Sequence, residues 1–351
     1  MNRVLYITMH MPSKNAMQAG HRLAWNNLLR ICEDHTVDLF LISNKKEQIN
    51  LDLYELKNIG NIYHCPISFF NKIYFYFLNL SKISPKFSTR NSRKAKNHLM
   101  ALLTSVTYKI IWVEFTEPLV LLDGISIKSH IILSVHDILT QWSLRKKGFL
   151  SIFTNITYRN EERLLSLVDE IRVLSPKDKH LLESLYGLHG VLVNPPELSD
   201  FTKNFHRNSI QLEPYSIIFW GAMSRPENSK AIEFFIDNHW SEILEAYPLA
   251  KIYIVGSGPS DSLMNRTSDS IVVTGFVEDP TIYFQKSSLG IAPLMDGAGV
   301  KLKVLEMLHT GLPVLSTKIG AEGIEHSELL QIIDINQFSK YVIDFFSHVK
   351  S

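Results

Sequence analysis

Cysteine is scarce in this chain. Of 351 residues only Cys32 and Cys65 are cysteines. Their separation fits no metal-ligand spacing and two thiols make no disulfide scaffold, so the composition points to a reducing, cytoplasmic address. No apolar run reaches 18 residues, so no transmembrane helix is expected. The early run Val4–Thr8 is short and is followed by no cleavage pattern, so it reads as a first strand and not a signal peptide. A net charge of +1 gives neither a global nucleic-acid footprint nor an acidic tail. The 14 histidines show no HExxH or other compact ligand spacing, and no metal site is expected. The pair Gly256-Ser257-Gly258 does not extend to GxGxxG, because Asp261 stands at the third position; this counts against a nicotinamide enzyme. Acid is also missing locally: no Asp or Glu occurs in the 58 residues from Leu56 to Val113.

Apolar residues make up 45% of the chain and charged ones 20%, enough for sizeable cores, and the length suggests two domains. Short β-rich runs alternate with helical patterns throughout, which implies α/β units with parallel sheets. The expected strands are Val4–Thr8, Val37–Ile42, Ile110–Glu114, Ile131–Val135, Glu170–Val173 and Val191–Val193, then Ser216–Trp220, Lys251–Val255, Ile271–Thr274, Leu289–Ala292, Val314–Ser316 and Ile332–Ile333. Pro195, Pro196 and Pro214 mark a break between Asn194 and Tyr215. The acid-free stretch holds nine basic residues and the aromatic run Phe69, Phe70, Tyr74, Phe75, Tyr76 and Phe77. A basic and aromatic region at 69–96 suits an anionic membrane face. The alternatives are a core element followed by a solvated basic helix, or stacking platforms for nucleic acid.

Asp296 to Gly323 is the most informative stretch. Glycines precede a periodic helix with Leu302, Leu305 and Leu308 on one face; Gly311 supplies a stop and Pro313 blocks continuation. Lys301 and Lys303 fall in the first turn, where the macrodipole favours acids. A bound phosphate or diphosphate would relieve this, although two solvated surface lysines would also be an ordinary arrangement. In open α/β sheets, ligands bind beyond the carboxyl ends of strands. Those ends carry Gly20, His21 and Arg22; Glu114 and Glu117; His136 and Asp137; Gly221; Gly256 and Gly258; and Gly275, Phe276 and Val277. A lone strand-end histidine is more often a local hydrogen-bonding residue than a catalyst.

The second half runs Gly221-Ala222-Met223, Pro226-Glu227-Asn228, IYIVGSGP, TGFVEDP, SLGIAPL, GAGVKLKVLEMLHTGLPVLST and GAEGI. This ordered set resembles the donor domain of the retaining glycosyltransferases of family 4. The first half is consistent, with RNEERLLSLVDEIRVLSPKD ahead of VNPPELSD. The resemblance implies a GT-B fold: two Rossmann-like domains with parallel sheets facing across an interdomain cleft. Residues 1–205 would bind the acceptor and 206–351 the nucleotide sugar. Glu306 matches the second glutamate of the EX7E motif, which binds ribose hydroxyls; its plain alternative is a pair with Lys303. Gly299, Val300 and Lys301 match the turn facing the diphosphate. Lys301 or Lys303 would neutralise the leaving group, and Phe276 and Val277 would wall the base. Gly20, His136 and Asp137 would face sugar and phosphate, with Gly221 and Arg225 beside the phosphates. Two positions depart: Ala298 replaces the first glutamate, for which Asp296 could compensate, and the basic pair usual after Gly221 is reduced to Arg225 and Lys230.

The activity so implied is metal-independent transfer of a sugar from a UDP- or GDP-sugar to a hydroxyl of a glycan or lipid-linked acceptor. No cofactor other than the donor is implied, and no nucleic-acid partner. The context would be bacterial surface polysaccharide synthesis at the inner face of the plasma membrane. A nucleotide-sugar epimerase on the same fold and a non-catalytic nucleotide-sugar-binding partner, the latter suggested by Ala298, stay open as rivals.

Overall fold

Strands buried on both faces need near-continuous apolar runs, and that is what this chain supplies. A computed structural model describes residues 2–14, 19–43, 49–68, 82–146, 148–207 and 212–348. The chain divides into two compact units, Met1–Glu197 and Leu198–Ser351. The first unit holds β1 (Arg3–Thr8), β2 (Thr36–Leu41), β3 (Ile59–His64), β4 (Ile110–Glu114), β5 (His130–Val135), β6 (Glu170–Val173) and β7 (Leu192–Val193). They form one sheet in the order β3-β2-β1-β4-β5-β6-β7, with every pairing parallel. Successive residues of β1 feed opposite faces: Leu5 and Ile7 enter one core cluster, Val4 and Tyr6 the other. Its helices include α1 (Ala19–Asp34), α2 (Arg93–Ser105), α3 (Leu139–Arg145) and α4 (Thr154–Leu165).

The second unit holds β8 (Ser216–Trp220), β9 (Lys251–Val255), β10 (Ile271–Gly275), β11 (Leu289–Ala292), β12 (Val314–Ser316) and β13 (Leu330–Ile332). Its sheet runs β10-β9-β8-β11-β12-β13, again all parallel. Ile217 and Phe219 pack on one face and Ile218 on the other. Helices α5 (Pro226–Phe235) and α6 (Leu302–His309) follow β8 and β11. In each sheet the strand order reverses once, between β1 and β4 and between β8 and β11. Such switch points open a crevice beyond the strand ends, where ligands of doubly wound sheets bind.

Three expectations need correction. Strand β3 has no counterpart in the sequence reading, because Gly60 and Asn61 interrupt its apolar pattern at a sheet edge. Residues 198–205 belong with the second unit and not the first: Phe201 lies 5.8 Å from Trp220 and 5.0 Å from Phe284. On α6 the buried positions are Leu302, Val304, Glu306 and Met307, whereas Leu305 and Leu308 are only half-buried. The helix packs its Val304–Met307 side against the face holding Ile218, Tyr253 and Val255.

Candidate functional site

At the second unit's switch point, three strand ends meet through glycine turns. Gly221 (φ 148°) follows β8, Gly256 (φ 148°) follows β9 and Gly275 (φ 68°) ends β10. The turns interlock: the Gly221 N–H donates to Val255 O at 3.0 Å and the Gly256 N–H to Gly275 O at 3.2 Å. Met223 and Ser224 N–H groups both donate to Ser257 O. A Cβ on Gly256 would lie 1.8 Å from Gly221 O, so only glycine lets these backbones approach. Phe276 stands 64% exposed just past β10, an aromatic face at the crevice rim, with Val277 half-buried behind it.

Helix α6 points its N-terminus toward the same strand ends. No side chain caps its first turn. Orphan N–H groups of such a turn bind anions well. The two lysines there go different ways. Lys301 is the N-cap residue and turns back on its own loop, donating to Ala298 O at 2.9 Å and Gly299 O at 2.6 Å, with Glu322 at 4.0 Å. Lys303 reaches outward, donating to Asn228 Oδ1 of α5. Its Nζ lies 4.9 Å from the Phe219 ring centroid, and a Cβ on Gly221 would come within 2.8 Å of it. Loss of water around the ammonium, then the charges of Arg225 and Lys301, bring its pKa down to about 7, against the pull of Glu227. Among the described residues, the side chain bonded to Lys303 is thus a neutral amide and not a carboxylate. Arg225, at the start of α5, pairs with Glu227 at 2.7 Å.

Glu306 is 2% exposed. Its Oε2 accepts from Trp220 Nε1 at 2.8 Å and its Oε1 from Ser199 N at 3.3 Å. It thus fastens the end of β8 and the segment entering the second unit, and the alternative pair with Lys303 is replaced by the Lys303–Asn228 contact. Asp296 is exposed and accepts from Gly297 N at 2.7 Å; Gly297 (φ 121°) and Gly299 (φ 68°) shape the loop that carries Val300 into α6.

The first unit has its own cluster at the β1–β4 switch point. Glu114 ends β4 with no solvent exposure. It accepts from Tyr6 Oη (2.8 Å), Trp112 Nε1 (2.7 Å), Asn27 Nδ2 (3.0 Å) and Ser134 Oγ (2.9 Å), and pairs with His136 Nε2. Parallel register sets Glu114 beside Ser134, and His136 follows two residues later on the same face. Burial alone would raise the Glu114 carboxyl, but the donors from His136, Trp112 and Tyr6 outweigh it and hold it below its usual value. Phe115 has φ 73°, a conformation that costs a non-glycine residue about 1 kcal/mol or more. Its ring lies 4.1 Å from His136 and 5.0 Å from His10, which stacks on His21 at 4.6 Å. Burial, followed by the charges of His21 and Arg90, depresses His10 to about 2, so it is neutral. Gly20, at the start of α1, leaves the space beside Phe115 and His136 open; a Cβ there would sit 3.3 Å from the Phe115 ring. Asp137, the next residue in the chain after His136, is exposed. The sequence reading placed Glu114 at a strand end but gave it no role, and it did not single out Phe115, His10 or Asn228, whose positions depend on loop conformation and helix packing. The aromatic run 69–77 lies outside the described residues, and among those described no helix is long and apolar enough to cross a membrane.

Comparison with known structures decides the architecture. Over 99% of this chain and 90% of the other, the molecule superposes on sucrose-phosphate synthase from Thermosynechococcus elongatus with a TM-score of 0.68 at 12% identity. The chain has the GT-B fold. The Anabaena protein Alr3699/HepE, solved with UDP and glucose, gives 0.63 at 12% identity over 99% and 90% of the two chains. A TarM mutant from S. aureus, solved with fondaparinux, α-GlcNAc-glycerol and UDP, gives 0.65 at 10% identity over 99% and 93%. Residues 214–348 match the family model of the glycosyl transferases group 1. Among curated relatives, an uncharacterized 44.6 kDa protein in the cps region of Klebsiella pneumoniae is 24% identical over 157 residues. That match spans 41% of this chain and only 40% of the relative's length.

Proposed function

We propose that this protein is a retaining glycosyltransferase of family 4, transferring a sugar from a UDP- or GDP-sugar to a hydroxyl of a glycan or lipid-linked acceptor in bacterial surface polysaccharide synthesis. The observation that carries the reading is Lys303, held beneath the Gly221 turn at the uncapped start of α6. A leaving diphosphate develops negative charge at the moment of transfer, and fixed N–H dipoles with an adjacent ammonium stabilise it without reorganising. The match of residues 214–348 to the group 1 family, the neighbours solved with UDP and the cps-region relative support the same reading. In it, Phe276 and Val277 wall the base, Glu306 serves the ribose, and Gly299, Val300 and Lys301 shape the diphosphate turn. Gly221 and Arg225 border the phosphates, and Asp296 stands near the donor sugar where Ala298 cannot contact it. The first unit binds the acceptor; His136, oriented by Glu114, offers its ring to a sugar hydroxyl beside Gly20 and Asp137. Protein side chains and dipoles carry the electrostatics, so the proposed transfer is metal-independent. The protein works at the cytoplasmic membrane face, with 69–96 as its basic contact.

Ala298 favours one second reading, a binding partner that holds nucleotide sugar without turning it over. The deciding experiment incubates the protein with UDP- and GDP-sugars, with and without polyprenyl-phosphate-linked acceptors, and follows products by NMR. The expected result is acceptor-dependent release of one nucleoside diphosphate and retained anomeric configuration. Isomerised donor without acceptor would identify an epimerase, and binding without turnover a partner protein.

A further inference from the structure

Asn228 closes the run Pro226-Glu227-Asn228 in the first turn of α5 and is 4% exposed. A buried amide has to spend both a donor and an acceptor. Here each is spent at the second unit's switch point. Asn228 Nδ2 donates to Ala222 O at 2.7 Å, and Asn228 Oδ1 accepts from Lys303 Nζ. These two contacts admit one orientation of the amide, because a carbonyl can only accept and an ammonium can only donate. The main chain holds the residue as well, since Asn228 N donates to Arg225 O at 2.9 Å. Gly221 leaves the room that this needs. A Cβ there would stand 3.2 Å from Asn228 Nδ2 and 2.8 Å from Lys303 Nζ.

Lys303 thus meets an amide oxygen and, at 4.9 Å, the face of the Phe219 ring, both of them neutral. The charged groups that act on it lie at the start of α5 and at the N-cap of α6. Arg225 and Lys301 oppose its charge; Glu227 favours it but pairs with Arg225 at 2.7 Å. An aspartate at position 228 would have the same size as the amide and the opposite effect. It would neutralise Lys303 from within the protein, and it would set a second oxygen against Ala222 O where a donor now stands. An ammonium held by an amide keeps its charge for a ligand, whereas one paired to a carboxylate has already spent it.

We propose that Asn228 is a positioning residue. It ties the Gly221-Ala222 turn after β8 to the Lys303 ammonium at the start of α6, and as a neutral amide it leaves that charge to the diphosphate of the ligand. This deepens the transferase reading above and rests on it for the nucleotide, though not for the arrangement itself.

The test compares wild type, Asn228→Asp and Asn228→Ala, each as the full chain. The first variant changes the charge at constant size, and the second removes the tie and adds no charge. Lys303 is followed by carbon-13 NMR of labelled lysines, with Lys303→Met assigning its signal. Binding of UDP, GDP, their nucleosides and inorganic pyrophosphate is followed by titration calorimetry. In Asn228→Asp, Lys303 is expected to titrate well above the wild-type value of about 7, toward the ordinary 10.5. The advantage of the diphosphate over its nucleoside is expected to fall about tenfold or more, with nucleoside affinity kept. In Asn228→Ala the same advantage is expected to fall, without the rise of Lys303 seen in Asn228→Asp. The proposal is overturned if Lys303 titrates alike in wild type and Asn228→Asp, or if a folded Asn228→Ala keeps the wild-type preference for the diphosphate. Earlier melting of the variants with both readouts unchanged would leave Asn228 a purely structural role and overturn it too. If wild type takes pyrophosphate but neither nucleotide, the positioning role stands and the nucleotide-sugar reading falls; if it takes none of the three, both fall.

Discussion

Replacing Glu114 by alanine tests the first unit's switch-point cluster most severely. The carboxylate has no solvent exposure and serves Tyr6, Trp112, Asn27, Ser134 and His136. A buried donor that loses its acceptor costs about 1–3 kcal/mol. The five do not add: Tyr6 Oη also reaches Ala24 O at 2.8 Å, and water can enter the space left behind. With about two of these donors left stranded, the expected loss is about 3–5 kcal/mol. For a unit of this size each kcal/mol moves the melting point by about 2–4 °C, so calorimetry should show the first unit's transition fall by about 6–20 °C. The acid limb gives an independent reading. The Glu114 carboxyl titrates below its usual 4.5 in the folded state, so its contribution is present above about 4.5 and is lost as the pH falls through the lower folded value. Wild type should therefore lose stability in acid more steeply than Glu114→Ala. A variant that melts within about 2 °C of wild type, with a superimposable acid limb, would refute the network as the organiser of this crevice.

Three further outcomes are expected. Gly256→Ala and Gly221→Ala should each destabilise the second unit by about 1–3 kcal/mol from backbone conformation, since both stand at φ 148°, and Gly256→Ala should lose more because its Cβ also meets the Gly221 carbonyl, whereas that of Gly221→Ala meets the flexible end of Lys303; equal melting losses would contradict this. Lys303, at about 7, should be recharged by a bound diphosphate, so titration calorimetry near pH 8 in buffers of different ionisation enthalpy should detect proton uptake that Lys303→Met lacks, with affinity falling as pH rises. The same depressed value means that wild-type stability gains on Lys303→Met as pH rises from about 7 toward 10.5. Glu306→Ala should lose nucleotide affinity and about 1–3 kcal/mol of stability for each of the Trp220 and Ser199 donors it strands; a folded variant with wild-type affinity would remove the ribose role.

Much of the scaffold could be read from residue pattern because parallel strands covered on both faces must be apolar end to end. Runs such as Ser216–Trp220 and Leu289–Ala292 carry that signal without help from their neighbours. The strand Ile59–His64 does not, since it stands at the edge of the sheet formed by the described residues and tolerates Gly60 and Asn61. The glycine turns were visible because Gly256 and Gly299 have no substitute at their backbone angles. Side-chain direction was not visible. Lys301 and Lys303 look equivalent in sequence, yet Lys301 is the N-cap and turns into its own loop, while Lys303, two residues on and inside the helix, reaches Asn228. The Glu114 cluster is built from residues 6, 27, 112, 134 and 136, which the β1–β4–β5 register and the packing of α1 bring together.

The most direct test of a diphosphate site at the second unit's switch point is titration calorimetry of wild type and Lys303→Met with UDP, GDP and the matching nucleosides. The expected result is that one nucleoside diphosphate binds wild type at least about tenfold more tightly than its nucleoside, a difference of about 1.4 kcal/mol, and that Lys303→Met loses most of that difference while still binding the nucleoside. A diphosphate preference unchanged in Lys303→Met, or no nucleotide binding to wild type at all, would contradict the site.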